Sequence, residues 1–153
     1  MTRSHEHQED FDISSEEMFK LLITPSLICK WWGAARAIVQ PEKNGIWMAA
    51  WGADEDAPDY ITAFTMTEYE PPRRILFTDA KYTAGGEKLP FNADITAEFI
   101  VNDTQNGCSF RVIQKGFPTD PAADEYYAAC EKGWVDTFAG IRRTIKDIQQ
   151  SVV

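Results

Sequence analysis

The chain has three cysteines, Cys29, Cys108 and Cys130, with no CxxC pair among them. An odd number spread this widely is not a disulfide framework, so a reducing, cytoplasmic setting is expected. Histidine is scarcer: His5 and His7, both in "SHEHQED", are the only two. The body of the chain therefore lacks the imidazole that would activate a cysteine nucleophile. Cys29 and Cys130, set among apolar neighbours, read as small core hydrophobes. The two histidines, with Glu6 between them, could clip a metal weakly; a mobile, solvated tail is the expectation, with no metal and no cofactor. No zinc-type ligand spacing occurs, no glycine loop is built to cradle phosphate, and no serine is placed like a hydrolase nucleophile. No apolar run is long enough to cross a bilayer. The polar, acidic opening "MTRSHEHQEDFDIS" has no signal-peptide pattern.

Positive charge is also short. Fifteen Lys and Arg face 24 Asp and Glu, for a net charge of −9. That excludes a general binder of phosphate backbones and a protein that docks on anionic lipid, so neither nucleic acid nor membrane is expected as a partner. Arg73, Arg74 and the Arg142, Arg143, Lys146 cluster read as solvated faces. So does the acidic run Asp54, Glu55, Asp56, Asp59.

Apolar residues are in good supply, at 44% of 153 positions. This is enough for one well-formed core in one domain over residues 1–153. "EDFDIS" alternates weakly and reads as a first strand. "SSEE" is a capping box, Ser14 accepting from the Glu17 amide while the Glu17 side chain reaches back. A short helix then runs from about Ser15 to Leu22. Thr24 can cap a second, begun by Pro25 and ending near Lys30. From there the period changes to two. "ARAIVQ", "IWMAAW", "YITAFTMTEYE", "RRILFTDA", "NADITAEFIVN" and "CSFRVIQKG" are six strands. Asn44-Gly45 and "DTQNG" mark hairpin turns, and Pro71-Pro72 marks another break. Trp47, Ala49 and Trp51 share one strand face.

The C-terminal third reads as one long helix, capped by Asp120 with Pro121 in its first turn. Tyr127, Cys130, Trp134, Phe138, Ile141, Ile145 and Ile148 recur by threes and fours, giving one apolar stripe. About 28 residues at ~1.5 Å each need a surface some 40 Å long. Gly133 and Gly140 each cost about 1 kcal/mol against alanine inside a helix. Close approach of a neighbouring backbone explains such residues, with a kink as the second explanation. For Gly133 the approach would let Trp134 and Phe138 press into the sheet. The order strand, two short helices, six strands, long helix is an α+β arrangement. Its strongly twisted antiparallel sheet can curl around the long helix.

"SSEEMFKLLITPSLICKWWG", "NGIW", "EYEPPRRILFT", "KGF" and "GWVDTFAGI" stand in an order that resembles the activator of heat-shock ATPase homologue family, within the START-like (helix-grip) superfamily. The resemblance covers most of the chain. It departs at Asn44-Gly45, where two glycines are usual, at Phe64, where glycine is common, and at Asp79, where an aromatic often follows the threonine. It implies a helix-grip fold with a cavity between helix and sheet. Such cavities bind apolar or aromatic small molecules and in some members house chemistry.

Trp32, Trp47, Trp51, Phe64, Phe77, Phe99, Phe110, Trp134 and Phe138 are more aromatics than a domain of this size must bury. Either they fill the core, or some of them line a pocket, as ligand sites are usually lined; the latter makes them the candidate ligand-binding residues. Of the paired tryptophans, Trp31 is expected to be the wedge between helix and sheet and Trp32 to face the pocket. Asp79 and Asp94 end and begin strands; facing inward, either would have a raised pKa and be a candidate acid, and facing solvent neither would act. Arg111 alternates with Phe110 and Val112 and should point outward. The function expected is that of a hydrophobic-cavity domain, monomer or homodimer, holding a small apolar or aromatic ligand or a protein partner in a stress-related setting, and with no catalytic residues. The alternatives are a cyclase- or dehydratase-type enzyme of the same superfamily, and a co-chaperone surface for a heat-shock ATPase. The second domain of the full activator is not expected.

Overall fold

The structure, a computed structural model, describes residues 1–151. Strand β1 (Thr2–Phe11) leads into helices α1 (Ser15–Ile23) and α2 (Pro25–Trp32). Then come β2 (Arg36–Val39), β3 (Gly45–Trp51), β4 (Tyr60–Glu70), β5 (Arg74–Ala84), β6 (Glu87–Lys88), β7 (Thr96–Thr104) and β8 (Gly107–Pro118). A short 3-10 turn, Pro121–Ala123, precedes helix α3 (Asp124–Ser151). The strands form one antiparallel sheet in the order β1-β8-β7-β5-β4-β3-β2, with β6 pairing back on β5. The α+β helix-grip architecture expected from the sequence is the one observed.

The local signals explain the helices. Ser14 and Glu17 form the reciprocal capping box of α1. Thr24 does not cap α2: its hydroxyl donates back to the Lys20 carbonyl at 2.6 Å, the local bonding that threonine offers an ending helix. Helix α2 runs through both tryptophans, beyond Lys30, and stops where Gly33 takes φ 69°, a conformation that glycine adopts without strain. Asp120 caps the 3-10 turn, accepting from the Ala122 amide, and α3 follows.

Two expectations were wrong about how α3 is held. A Cβ built on Gly133 meets nothing within 4 Å, so no neighbour approaches there. The close approach lies two turns further on, at Gly140. A Cβ there would overlap the Trp31 carbonyl oxygen and lie 3.1 Å from the carbonyl carbon. The α2–α3 contact is thus backbone to backbone. The N-terminus also differs from expectation. His5 and His7 are not in a solvated tail but in β1, which pairs with β8 from Thr2↔Pro118 onward. Alternate residues of β1 face α3. Arg3 pairs with Asp124 and lies over the Tyr127 ring, and Glu9 pairs with Arg142. His5 is buried against the Phe117 and Tyr127 rings, with its Nδ1 3.1 Å from His7 Nε2 and its own Nε2 unpartnered. A face built of histidines and ion pairs carries no apolar alternation, which is why the sequence shows a strand only from "EDFDIS", at Glu9, whereas β1 begins at Thr2.

The arginines are likewise more than solvated faces. Arg73 holds Asp103 and Ser15, drawing the Asp103 carboxyl down to about 2, and Arg74 binds Glu70 and Glu98. These contacts tie the β4–β5 turn and α1 to β7. Arg111 pairs with Glu6 on the outer face. The core fills the concave side: Met18, Leu22, Ile28, Trp31, Met66, Ile75, Val101, Phe110, Val112 and Ile141 are all buried.

Candidate functional site

Tryptophan placement begins at the end of α1. The last carbonyls of a helix have no intrahelical partner. Here two of them accept indole N–H groups: Leu21 from Trp31 at 2.8 Å, and Leu22 from Trp47 at 3.0 Å. Trp31 is 2% exposed and fills the seam between α1, α2 and α3. Trp32, one residue on and about 100° around the helix, turns the other way. Its ring packs on Trp47, Trp51 and Trp134, with centroids 5.4, 4.8 and 6.4 Å away. Trp51 in turn donates to the Trp32 carbonyl at 3.2 Å.

These rings wall a cavity of about 630 Å³ between α3, the end of α2 and the concave sheet. Seven of the nine candidate aromatics line it: Trp32, Trp47, Trp51, Phe64, Phe77, Phe99 and Trp134. Phe110 and Phe138 do not. They stack behind Phe99 and beside Phe11 as packed core, with Phe110 0% and Phe138 5% exposed. Phe64 stands in the wall against Trp47 and Phe77.

The polar part of the lining was not foreseen. Gln114, on β8, is 8% exposed, and its Oε1 accepts the Trp134 indole N–H at 2.9 Å. From α3 come Tyr126, Cys130 and Thr137, and from β5 comes Tyr82. Tyr82 reaches the cavity through a bulge. Thr65 pairs with Thr78 but Ala63 with Lys81, so β5 carries an extra residue at the point where Asp79 has φ 58°. The bulge switches the strand's parity: Phe77 faces in before it and Tyr82 after it, where the ring meets Tyr126 at 5.2 Å. Tyr126, Cys130, Gly133 and Thr137 recur by threes and fours along α3, a second stripe beside the apolar one and visible in the sequence. Tyr127 belongs to the β1 side, donating its hydroxyl to the Ser4 carbonyl. Cys130 lines the cavity instead of filling the core, Cys108 is buried, and Cys29 is half-buried.

Burial sets the electrostatics. It pushes the Tyr126 phenol far up, with the neighbouring Cys130 adding to the effect, and raises Tyr82. It pushes the Cys130 thiol up to about 11, opposed only by the neighbouring Tyr126 hydroxyl. All three groups are neutral donors at pH 7. The lining holds no carboxylate and no histidine, and its two lysines, Lys81 and Lys88, are solvent-exposed. Asp79 and Asp94 are exposed and outside the lining, as are Asp54, Glu55, Asp56 and Asp59. Among the described residues no group of three His, Cys, Asp or Glu is placed to hold a metal, and no helix is long and apolar enough to cross a membrane.

The same fold occurs in solved structures. A Mesorhizobium loti protein superposes with a TM-score of 0.76 at 16% identity, over 95% of this chain and 98% of its own. A Staphylococcus aureus protein of unknown function does so with a TM-score of 0.75 at 11% identity, over 98% and 97%. The AHSA1 protein of Silicibacter pomeroyi gives 0.68 at 16% identity, over 94% and 98%. At such identities the likeness is one of fold. Comparison with curated protein sequences finds no match. The family profile described as activator of Hsp90 ATPase homolog 1-like protein matches residues 12–146, from the first helix to the last turns of α3, and on that match the chain belongs to this family.

Proposed function

We propose that the protein binds one small, largely apolar or aromatic molecule in the cavity between α3 and the sheet. Trp32, Trp47, Trp51, Phe64, Phe77, Phe99 and Trp134 are its contact residues in this reading. The observation that carries it is the open volume of about 630 Å³ walled by these rings. Close packing is the rule for protein interiors, and a space this large falls in the range of drug-sized ligand sites. Membership of a family of cavity-bearing domains supports the reading at a coarse level. The interior favours holding over chemistry, because its phenols and thiol stay protonated and no inward carboxylate or imidazole is present to act as a base.

The test is uptake of Nile red, a neutral apolar dye, together with native mass spectrometry of the freshly purified protein. Saturable binding of one dye per chain is expected, displaced by any co-purified compound. Phe64→Trp, which adds bulk to the wall, should lose binding while leaving the fold intact. A wild-type protein that neither takes up the dye nor carries a bound mass would refute the proposal.

A further inference from the structure

We infer that the cavity selects a planar, uncharged aromatic ligand bearing a hydrogen-bond acceptor such as a carbonyl oxygen, and that Gln114 is the residue that reads that acceptor. This rests on the ligand-holding reading above and narrows it to a chemical class.

Four tryptophans have a partner for the indole N–H. Trp31, Trp47 and Trp51 donate to main-chain carbonyls, those of Leu21, Leu22 and Trp32. A carbonyl needs no further partner once it accepts. Trp134 instead donates to a side-chain amide. An indole N–H can only donate, so this bond fixes which end of the Gln114 amide faces Trp134. Its oxygen is taken, and its NH2 group points elsewhere. That group has no protein partner among the described residues, yet it is not a sealed orphan either. Gln114 lines the cavity, so the two N–H bonds open onto the space where a ligand would lie. A neutral donor held this way, nine-tenths buried and locked by a second side chain, is a preorganised reader of an acceptor.

The rest of the lining sets the remaining features. Charge is disfavoured at both signs. An ammonium would find no carboxylate in the interior, and an anionic head no buried cation, and an unpaired charge is costly to bury. Planarity follows from the walls, where the rings of Trp32, Trp47, Phe77, Phe99 and Trp134 offer faces and edges to a flat partner.

The experiment compares 9-fluorenone with fluorene, two flat tricyclic molecules of the same outline that differ by a carbonyl in place of a methylene. Binding is read by calorimetry, and the Gln114 side-chain NH2 resonances are followed by NMR. Wild type is expected to bind fluorenone about tenfold more tightly, because fluorene leaves a buried donor unpaired, and fluorenone should shift the Gln114 NH2 signals. Gln114→Leu should bring the two affinities within about twofold of each other. That variant also strips Trp134 of its acceptor, so Gln114→Glu is the second. It keeps an oxygen for the indole and, measured at pH 9 so that the carboxyl is ionised and has no proton to donate, it too should lose the preference. Equal binding of both probes by wild type would overturn this inference and leave the cavity reading standing. A fluorenone preference that persists in Gln114→Glu would overturn the role of Gln114. Binding of neither probe would overturn this inference and the reading on which it rests.

Discussion

Replacing the two glycines of α3 by alanine, one at a time, should move stability in opposite directions. Both substitutions gain about 1 kcal/mol of helix propensity. At Gly133 nothing opposes the gain, since a Cβ there meets open space within 4 Å. The net effect is a stabilisation of about 1 kcal/mol. At Gly140 the new methyl overlaps the carbonyl oxygen of Trp31 and lies 3.1 Å from its carbonyl carbon. This obstacle is backbone, not the end of a flexible side chain. It is also pinned, because the Trp31 ring is buried and its N–H is bound to Leu21. Relief requires α2 to move off α3. Overpacking of this kind costs about 1–3 kcal/mol in ordinary cores, and a backbone obstacle belongs at the upper end, so a net loss of about 2 kcal/mol is expected after the propensity gain. For a chain of this size 1 kcal/mol shifts the thermal midpoint by about 2–4 °C. Calorimetric melting should therefore place Gly133→Ala about 2–4 °C above wild type and Gly140→Ala about 4–8 °C below it. A Gly140→Ala protein that melts at or above wild type would show that the helices are not in backbone contact. A Gly133→Ala protein that melts lower would show that something does press on that position.

Trp31→Phe should cost stability, by loss of the Leu21 hydrogen bond and of wedge volume, and leave Nile red binding unchanged; Trp32→Phe should stay within about 1.5 kcal/mol of wild type and weaken the dye. Equal losses of stability with unchanged binding would mean that both rings are core. Acid should loosen the N-terminal strand. Burial is the main cause that lowers the pKa of His5 and of His7, with the His7 charge adding to the effect on His5 and Glu131 opposing both. The fold thus binds these protons less readily than the unfolded chain. Their full contribution to stability is present above the unfolded value of 6.5 and falls away as pH drops through it toward the folded values. Melting curves between pH 7.5 and pH 5.5 should show this loss, and His5→Phe, which keeps an aromatic ring against Phe117 and Tyr127, should reduce it; an unchanged pH slope in His5→Phe refutes the assignment. Cys130, with its thiol pushed up to about 11, should carry roughly one thiolate per thousand at pH 8 and alkylate far more slowly than a free cysteine. Rapid labelling of Cys130 at pH 8 would contradict its place in the cavity wall.

The architecture was legible because its signals are local. The capping box at Ser14 and Glu17, the two-residue period of the strands and the stripe from Trp134 to Ile145 each follow from neighbours a few positions apart. What escaped depends on partners far along the chain. β1 could not be read in full because its inward face is stabilised by charge and ring contacts to α3 and β8, such as Arg3 with Asp124 and Glu9 with Arg142. No pattern within β1 encodes them. The two glycines of α3 looked alike in sequence. Only the path of α2 makes Gly140 the one that a carbonyl approaches.

The same distinction governs the cavity. An aromatic composition says that rings will be buried, not whether they meet each other or a space. Phe110 and Phe138 lie next to Phe99 and Trp134 in the stack, yet they fill, because β8 and α3 bring them toward Phe11 and away from the gap. The bulge at Asp79 matters in the same way. Without the extra residue, strict alternation from Phe77 would send residue 81 to the cavity side; with it, the phenol of Tyr82 goes there instead. A second bulge, where Arg3 pairs with Phe117 but His5 with Gln114, shifts the parity of β8. It allows Gln114 and Phe117 both to face inward. Of the polar groups in the lining, Tyr82 thus owes its place to a break in strand regularity, whereas Gln114 continues the alternation of Phe110 and Val112 and only Phe117 needs the second bulge. Such a break costs little at one ladder position, but it changes which side chains face the space inside.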